Sequence, residues 1–488
     1  MKIELNRQAQ ISLSKQIFQE IADRIQSGYF PGGARLPSIR KLAKELSVSP
    51  VTVIQAFTML EKEKYITRVQ GKGTFVNEMS DTQDHDMVTM LQIPDYLHRA
   101  QQLYYSQHPA KLNFSLSVVD PSLLPAQILS NHVKELIQTH PELLVQYGEI
   151  QGAFPLRQAF AKYLNREKIP ITAEDILVTN GSQQGIDLVA RCFLGPGDIV
   201  ITEEVTYPGA IDVFRSRGAT VLPVPMDQEG ISINHLIRLL DTYQPQLIYT
   251  IPTYQNPTGR VMSERRRKQL LEIAEEVNCL ILEDDPWSEI YFDAPPPAHI
   301  KSFDRKGHVI YLKGLSKMLA PGCRVGFLSA EKSILRRLLG TKTNADMGNP
   351  LFNQWIILPI FQQQSLDQLV QQLRDQLKYR RDLSIKLLKK HALAKINWIY
   401  PKGGFNIWIT LPEHINCTEL LFYAKQQGVD FFPGSACYPT NPQHNHLRLS
   451  FTNSTEKQIA LGIPLLCKII DEYIANEKQG TTNDLPGF

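Results

Sequence analysis

Lys317 is the centre of residues 311–327, which read Tyr-Leu-Lys-Gly-Leu-Ser-Lys-Met-Leu-Ala-Pro-Gly-Cys-Arg-Val-Gly-Phe. A lysine after a small hydroxyl residue, in an apolar segment leaving a strand predicted over 309–312, can lose its proton and attack a carbonyl, because burial disfavours the ammonium form. That is Schiff-base chemistry. Seven residues on, Arg324 follows Pro321 and Gly322, whose turn can bring its guanidinium back beside Ser316 to hold a phosphate. Alone, a Ser-Lys pair more often marks a basic surface loop. The weight comes from the residues that accompany it.

Those residues fall at the ends of other predicted strands. Thr179-Asn180-Gly181-Ser182-Gln183-Gln184 follows a strand and opens a helix, so backbone amides and the Ser182 hydroxyl can meet a phosphate at the positive helix end. Tyr207, in Thr206-Tyr207-Pro208-Gly209, is placed to stack on a planar cofactor. Asn256 sits in a proline-fixed loop, Ile251-Pro252-Thr253-Tyr254-Gln255-Asn256-Pro257-Thr258-Gly259. Glu283-Asp284-Asp285-Pro286-Trp287 puts carboxylates at the end of an apolar strand, where one can pair with a protonated ring nitrogen. Glu204, Glu283 and Asp285 read as solvated acids, and Tyr254 fits lid or core equally. Phosphate cradle, aromatic ring, amide, carboxylate and reactive lysine together are what pyridoxal phosphate needs.

The elements that must position these groups are short strands rich in Val, Ile and Leu. They are predicted over 176–179, 199–202, 220–224, 247–251, 280–283 and 309–312, after a first strand over 112–117. Helical stretches separate them, which predicts an α/β domain: a mostly parallel sheet covered by helices on both faces. Beyond residue 329 come long helices, notably 366–391, and strands over 405–410 and 446–451. These predict a small carboxy-terminal α+β subdomain. The domain is expected to run over 112–474, with a flexible polar tail over 475–488.

At 488 residues the chain exceeds one ordinary core, so two or more domains are expected. The overall charge of +3 is unevenly spread, since residues 1–76 hold twelve Lys/Arg against six Asp/Glu. A basic first module points to a polyanion partner for that part. Six cysteines without Cys-x-x-Cys spacing indicate neither a zinc site nor a disulfide framework, so no metal is expected. The polar first ten residues and the lack of a long apolar run predict a cytoplasmic protein with no membrane partner.

Within the first module, helices are predicted over 13–26, from Ser38 after Pro37, and over 51–62 with Pro50 at the first helical position. Strands over 65–69 and 73–76 flank Gln70-Gly71-Lys72 as a hairpin or wing. This order, with Leu36-Pro37-Ser38-Ile39-Arg40-Lys41-Leu42-Ala43 and Gly71-Lys72-Gly73-Thr74-Phe75-Val76, resembles the GntR-type winged helix-turn-helix repressors over residues 1–76. In such a module the third helix enters the major groove of double-stranded DNA by its first turn, which here offers Ser49, Val51 and Thr52. Arg40 and Lys41 would hold the backbone, and Lys72 at the wing tip would meet phosphate or the minor groove. A winged helix used for protein docking is the alternative that charge and motif disfavour. Residues 77–111 read as an acidic linker with a short helix within 90–107.

The second module resembles a fold-type-I aminotransferase of the aspartate-aminotransferase group. The resemblance rests on Asn180 to Gln183, Tyr207, Asn256-Pro257-Thr258-Gly259, Asp284, Ser316-Lys317, Arg324 and His446-Leu447-Arg448-Leu449-Ser450-Phe451, all in the family's order. It implies that Lys317 bonds the aldehyde of pyridoxal 5'-phosphate, Asp284 keeps the ring nitrogen protonated and Asn256 bonds the ring oxygen. Tyr207 would stack on the ring, and Ser182, Gln183, Ser316 and Arg324 would hold the phosphate. Tyr147 would reach the phosphate of a partner subunit, and Arg448 would clamp a carboxylate. Three departures accompany the match: Trp287 replaces a tyrosine, Gly314 a phosphate-binding serine, and Ser117 and Val119 a glycine and a proline. They predict turnover that lags behind binding.

A winged helix joined to such a body resembles the MocR-type branch of GntR regulators. The resemblance implies a homodimeric transcription regulator that senses an amino acid, an amine or pyridoxal phosphate itself. The alternative is a working transaminase, converting amino acid to 2-oxo acid, with an appended DNA-binding domain.

Overall fold

A computed structural model describes residues 12–26, 30, 34–69, 73–77, 110–363 and 365–481. The chain divides into two units, 1–106 and 107–488. Lys72, most of the expected 77–111 linker with its helix, and the last seven residues of the expected tail lie outside the described residues.

In the first unit, helices Leu13–Gln26, Ile39–Glu45 and Pro50–Lys62 precede strands Ile66–Val69 and Gly73–Val76. The helices start where capping chemistry directs. Ser38 accepts from the Lys41 amide, Ser49 accepts from the Thr52 amide, and Pro50 occupies the first turn, where its missing N–H costs nothing. Ile17, Ile21, Leu42, Val53, Ala56, Phe57 and Leu60 are buried in one core. The two strands pair antiparallel with Ile66 opposite Val76.

The second unit is built on a seven-stranded sheet. Its order is Ile176–Thr179, Gly326–Ser329, Val309–Gly314, Leu280–Asp285, Leu247–Thr250, Ile199–Glu203 and Thr220–Val224. Only Gly326–Ser329 runs antiparallel to its neighbours. Alternate residues of one strand feed opposite layers: Ile310 and Leu312 pack with Leu188 and Phe214, while Tyr311 packs with Phe160 and Phe327. Both faces being covered explains why these strands are apolar throughout rather than alternating. Gly326 permits a close backbone approach, because a Cβ there would lie 2.8 Å from the Lys313 carbonyl.

The smaller subdomain has a four-stranded antiparallel sheet containing Asn406–Thr410 and His446–Ser450, with helices Ser365–His391 and Glu456–Thr481 packed against each other. Two expectations are corrected. The strand over 112–117 is only Leu112–Asn113, and it pairs with Val429–Asp430 outside the main sheet, because the following residues turn into the site. The last helix, Glu456–Thr481, runs past residue 475, so the first residues of the expected tail are helical.

Candidate functional site

The site forms along one edge of the sheet, where the parallel strands end. Strand Ile176–Thr179 ends in Asn180-Gly181, and helix Ser182–Phe193 begins directly after. Arg324 returns to this corner: its Nη1 donates to Ser316 Oγ at 3.2 Å and its Nη2 to the Asn180 carbonyl at 3.2 Å. The turn Pro321–Cys323 delivers it, with Arg324 itself left-handed at φ 52°. A Cβ on Gly314 would lie 3.2 Å from Ser182 Oγ, so the residue that departs from the usual serine faces the hydroxyl of Ser182. Tyr207 donates to Gln183 Oε1 at 3.0 Å, and Gln183 donates to the Gly209 carbonyl at 3.2 Å.

Asp284 is buried at the end of Leu280–Asp285. Its Oδ2 accepts from the Tyr249 hydroxyl at 2.7 Å, whereas Oδ1 has no hydrogen-bond partner among the described residues. Burial pushes this carboxyl up to about 7, against the pull of the Tyr249 hydrogen bond. A proton or a cationic N–H at Oδ1 would relieve that cost.

Lys317 Nζ donates to the Ser117 carbonyl at 2.7 Å. Burial, with Arg448 and Arg324 adding positive charge nearby, lowers its pKa to about 8. About a tenth is therefore the neutral, nucleophilic amine at pH 7, far more than for an ordinary lysine. Arg448 donates to Asn256 Oδ1 at 3.2 Å and to the Ser115 carbonyl at 2.6 Å, with its guanidinium 4.2 Å from the Phe432 ring centre.

Two departures from sequence expectation concern charge. Asp285 and Glu283 are buried, not solvated, because the strand carries them inward among donors. Asp285 accepts from Ser288, Tyr311 and Lys313; burial alone would raise its pKa, but the Lys313 ammonium and His299 hold it well below the carboxylate range. Glu283 accepts the Ile300 and Lys301 amides at 2.9 and 2.8 Å. Tyr254 resolves as core at 1% exposure. Its carbonyl accepts the Trp287 indole N–H at 2.7 Å, so that donor is already engaged.

Tyr147 is not brought to the other candidates. It is 82% exposed, beside Leu144 and Val145, which are also exposed. Sequence reading missed Tyr249, which looks like any apolar strand residue, and Asn406, whose Oδ1 accepts the Ser117 hydroxyl at 2.5 Å. It also missed Glu203, which accepts from Thr250 and the Ile251 amide and is pushed up to about 7 by burial. None carries a local sequence signal.

In the first unit, Arg40, Lys41, Ser49 and Val51 are exposed, and Thr52 is half-buried with its hydroxyl 2.9 Å from Ser49 Oγ. Ile54 and Gln55 are exposed one turn further along and were not singled out from sequence. Arg68 of the first strand donates to Thr58 Oγ1 at 3.0 Å, tying the hairpin to this helix.

Comparison with known proteins decides the family. Residues 13–76 match the model of bacterial regulatory proteins of the gntR family, and residues 114–463 match that of class I and II aminotransferases. This chain belongs to the aminotransferase class I and II family and carries a gntR-family DNA-binding domain. A relative of the same composite length, the HTH-type transcriptional regulator YdfD of Bacillus subtilis, is 31% identical over 94% of this chain and 96% of its own. The aromatic-amino-acid aminotransferase 1 of Thermococcus litoralis is 37% identical over 72% of this chain and 86% of its own. Kynurenine aminotransferase of Pyrococcus horikoshii, solved with PMP, superposes with a TM-score of 0.74 at 32% identity, covering 80% of this chain and 97% of that one. The gntR domain implies DNA binding, and the aminotransferase body implies pyridoxal phosphate as the family's cofactor. Among the described residues no helix is long and apolar enough to cross a membrane.

Proposed function

We propose that this regulator binds pyridoxal 5'-phosphate on Lys317 and senses an amino acid or related amine there, adjusting the affinity of its winged helix for DNA. The carrying observation is the buried Asp284 Oδ1, which lacks a hydrogen-bond partner while the lysine amine and the carboxylate clamp share the same cleft. A protonated ring nitrogen satisfies that oxygen, and Ser182, Gln183, Ser316 and Arg324 suit a phosphate. Asn256 would meet the ring oxygen and Tyr207 the ring face. When bound, the cofactor supplies an electron-withdrawing ring and an electrophilic carbon.

The residues of the chain then divide the work. Lys317 would supply the amine that bonds the cofactor's aldehyde carbon, and Arg448, now on the Ser115 carbonyl, would be the group to bind a ligand carboxylate. Asp284 holds the proton on the ring. In a homodimer the exposed Tyr147 would reach the partner's phosphate, which accounts for an aromatic ring left in solvent beside Leu144 and Val145. Arg40, Lys41, Ser49, Val51, Thr52 and Lys72 would contact the DNA, with a cytoplasmic location following from that role. A ligand regulates only by binding one DNA-binding arrangement more tightly than another.

A working transaminase is the second reading, favoured by the identity to an aromatic-amino-acid aminotransferase and by the retained lysine, aspartate and arginine. One experiment separates the two. Amino acids and amines are titrated into the full chain while the cofactor spectrum, operator affinity and 2-oxo acid are recorded together. Spectral change with altered operator affinity and slow product supports the sensor. Rapid multiple turnover at constant operator affinity overturns it.

A further inference from the structure

The second unit contains a cavity of about 550 Å³ that no residue of the Lys317 cleft lines. Its walls come from the end of helix Phe154–Arg166, the Pro295-Pro296-Pro297 segment and the first turns of helix Ser365–His391. That volume suits a small organic ligand. The question is what chemistry its lining leaves uncommitted.

Most of its acid is already neutralised. Glu289 accepts from Lys313 Nζ at 2.6 Å and from the Tyr163 hydroxyl, and Asp367 pairs with Arg166 at 3.0 Å. Its cations are less fully used. Arg374 donates Nε to the Glu289 carbonyl at 3.0 Å and Nη1 to Gln371 at 2.7 Å, while Nη2 makes no hydrogen bond among the described residues. Its guanidinium lies 3.6 Å from the centre of the Tyr291 ring, which fixes the plane of the fork. Lys168, also in the lining, has no ion-pair partner among the described residues. Glu167 is the one lining acid left to oppose them. His299 also lines the cavity, with a side chain only 6% exposed, but its ring nitrogens lie 3.6 Å from Glu283 and 3.9 Å from Asp285, so it is committed to those acids. Tyr291, Leu366 and Val370 supply apolar wall.

We infer that this cavity is a second small-molecule site, taking a carboxylate with an apolar body, its carboxylate on Arg374 and Lys168 and its body against Tyr291, Leu366 and Val370. Such a ligand completes the hydrogen bonding of the Arg374 fork and covers apolar wall in one step. Occupancy has a short route to the Lys317 cleft. Arg374 holds the Glu289 backbone, Glu289 holds Lys313, and Lys313 holds Asp285, the residue next to Asp284. The site stands whichever way the Lys317 cleft is used, as sensor or as transaminase.

The test uses the cofactor-loaded full chain and 4-phenylbutyrate, a carboxylate with no amine to displace Lys317, measured by calorimetry. Lys168→Glu and Arg374→Gln each weaken its binding roughly tenfold or more, and Gln371→Trp, which fills the mouth from an exposed helix position, removes it. Arg448→Gln leaves it unchanged. Thermal midpoints close to that of the native chain confirm that each variant is folded, and Lys168→Glu, at an exposed position, serves if Arg374→Gln is not. Binding lost in Arg448→Gln but kept in Lys168→Glu and Gln371→Trp would place the carboxylate in the Lys317 cleft and overturn the inference. Absence of any binding at millimolar probe would overturn it equally.

Discussion

Lys317 Nζ donates to the carbonyl of Ser117 at 2.7 Å, and the Ser117 hydroxyl in turn donates to Asn406. The residue that departs from the family's glycine therefore holds Lys317 through its backbone and strand Asn406–Thr410 through its side chain. With a pKa lowered to about 8 chiefly by burial, Lys317 is half neutral near pH 8 rather than above pH 10. Capture of pyridoxal phosphate should accelerate as pH rises through 8 and then level. Lys317→Ala should abolish the visible band of the lysine-bound cofactor while leaving the far-ultraviolet circular dichroism intact. Arg448→Gln removes a neighbouring cation, so its capture midpoint should move upward, as stopped-flow absorbance will read.

Asp284 gives a stability prediction of opposite sense to an ordinary salt-bridged acid. Its folded pKa, raised to about 7, exceeds the unfolded value, so the folded state binds more protons between roughly pH 4 and 7. Stability of the cofactor-free chain should therefore fall as pH rises through that window and flatten above it. The full shift corresponds to about 4 kcal/mol as an upper figure. Asp284→Asn should remove this part of the slope in thermal melts between pH 5 and 8 (about the neutral range used for such scans) and weaken cofactor retention on dialysis.

Trp287 spends its only donor on the Tyr254 carbonyl, so it cannot bond a ring oxygen as well. Trp287→Phe should cost about 1–3 kcal/mol by leaving that buried carbonyl unsatisfied, measurable by urea titration. Trp287→Tyr should raise the rate of 2-oxo acid formation by roughly tenfold or more if the phenol reaches the ring oxygen. An unchanged rate in a folded Trp287→Tyr variant would show that the missing phenol is not what slows turnover.

On the DNA side, Arg40 is exposed in the first turn of helix Ile39–Glu45. Arg40→Ala and Lys72→Ala should each weaken binding across all sequences and reduce the salt slope by about one. Thr52→Ala should change sequence preference and carry a smaller loss in general affinity. Fluorescence anisotropy on operator and scrambled duplexes across a salt series distinguishes the two patterns.

The sequence by itself determined the elements and the roster of chemistry. Helix boundaries in the first unit follow from Ser38, Ser49 and Pro50, which act on neighbouring backbone, and the buried strands follow from runs of Val, Ile and Leu. Lys317, Asp284, Asn256 and Arg448 could be singled out as candidates because each sits in a distinctive local string. What tertiary structure alone decided was environment. Glu283 and Asp285 look solvated in a one-dimensional reading, yet the sheet buries both, and partners 14 to 28 positions away neutralise the second. Tyr249 becomes the donor to Asp284 only because parallel strands place residues 35 positions apart side by side. Burial and hydrogen bonding between distant segments set the charge on these groups, and no local pattern encodes a neighbour that the chain reaches only after folding.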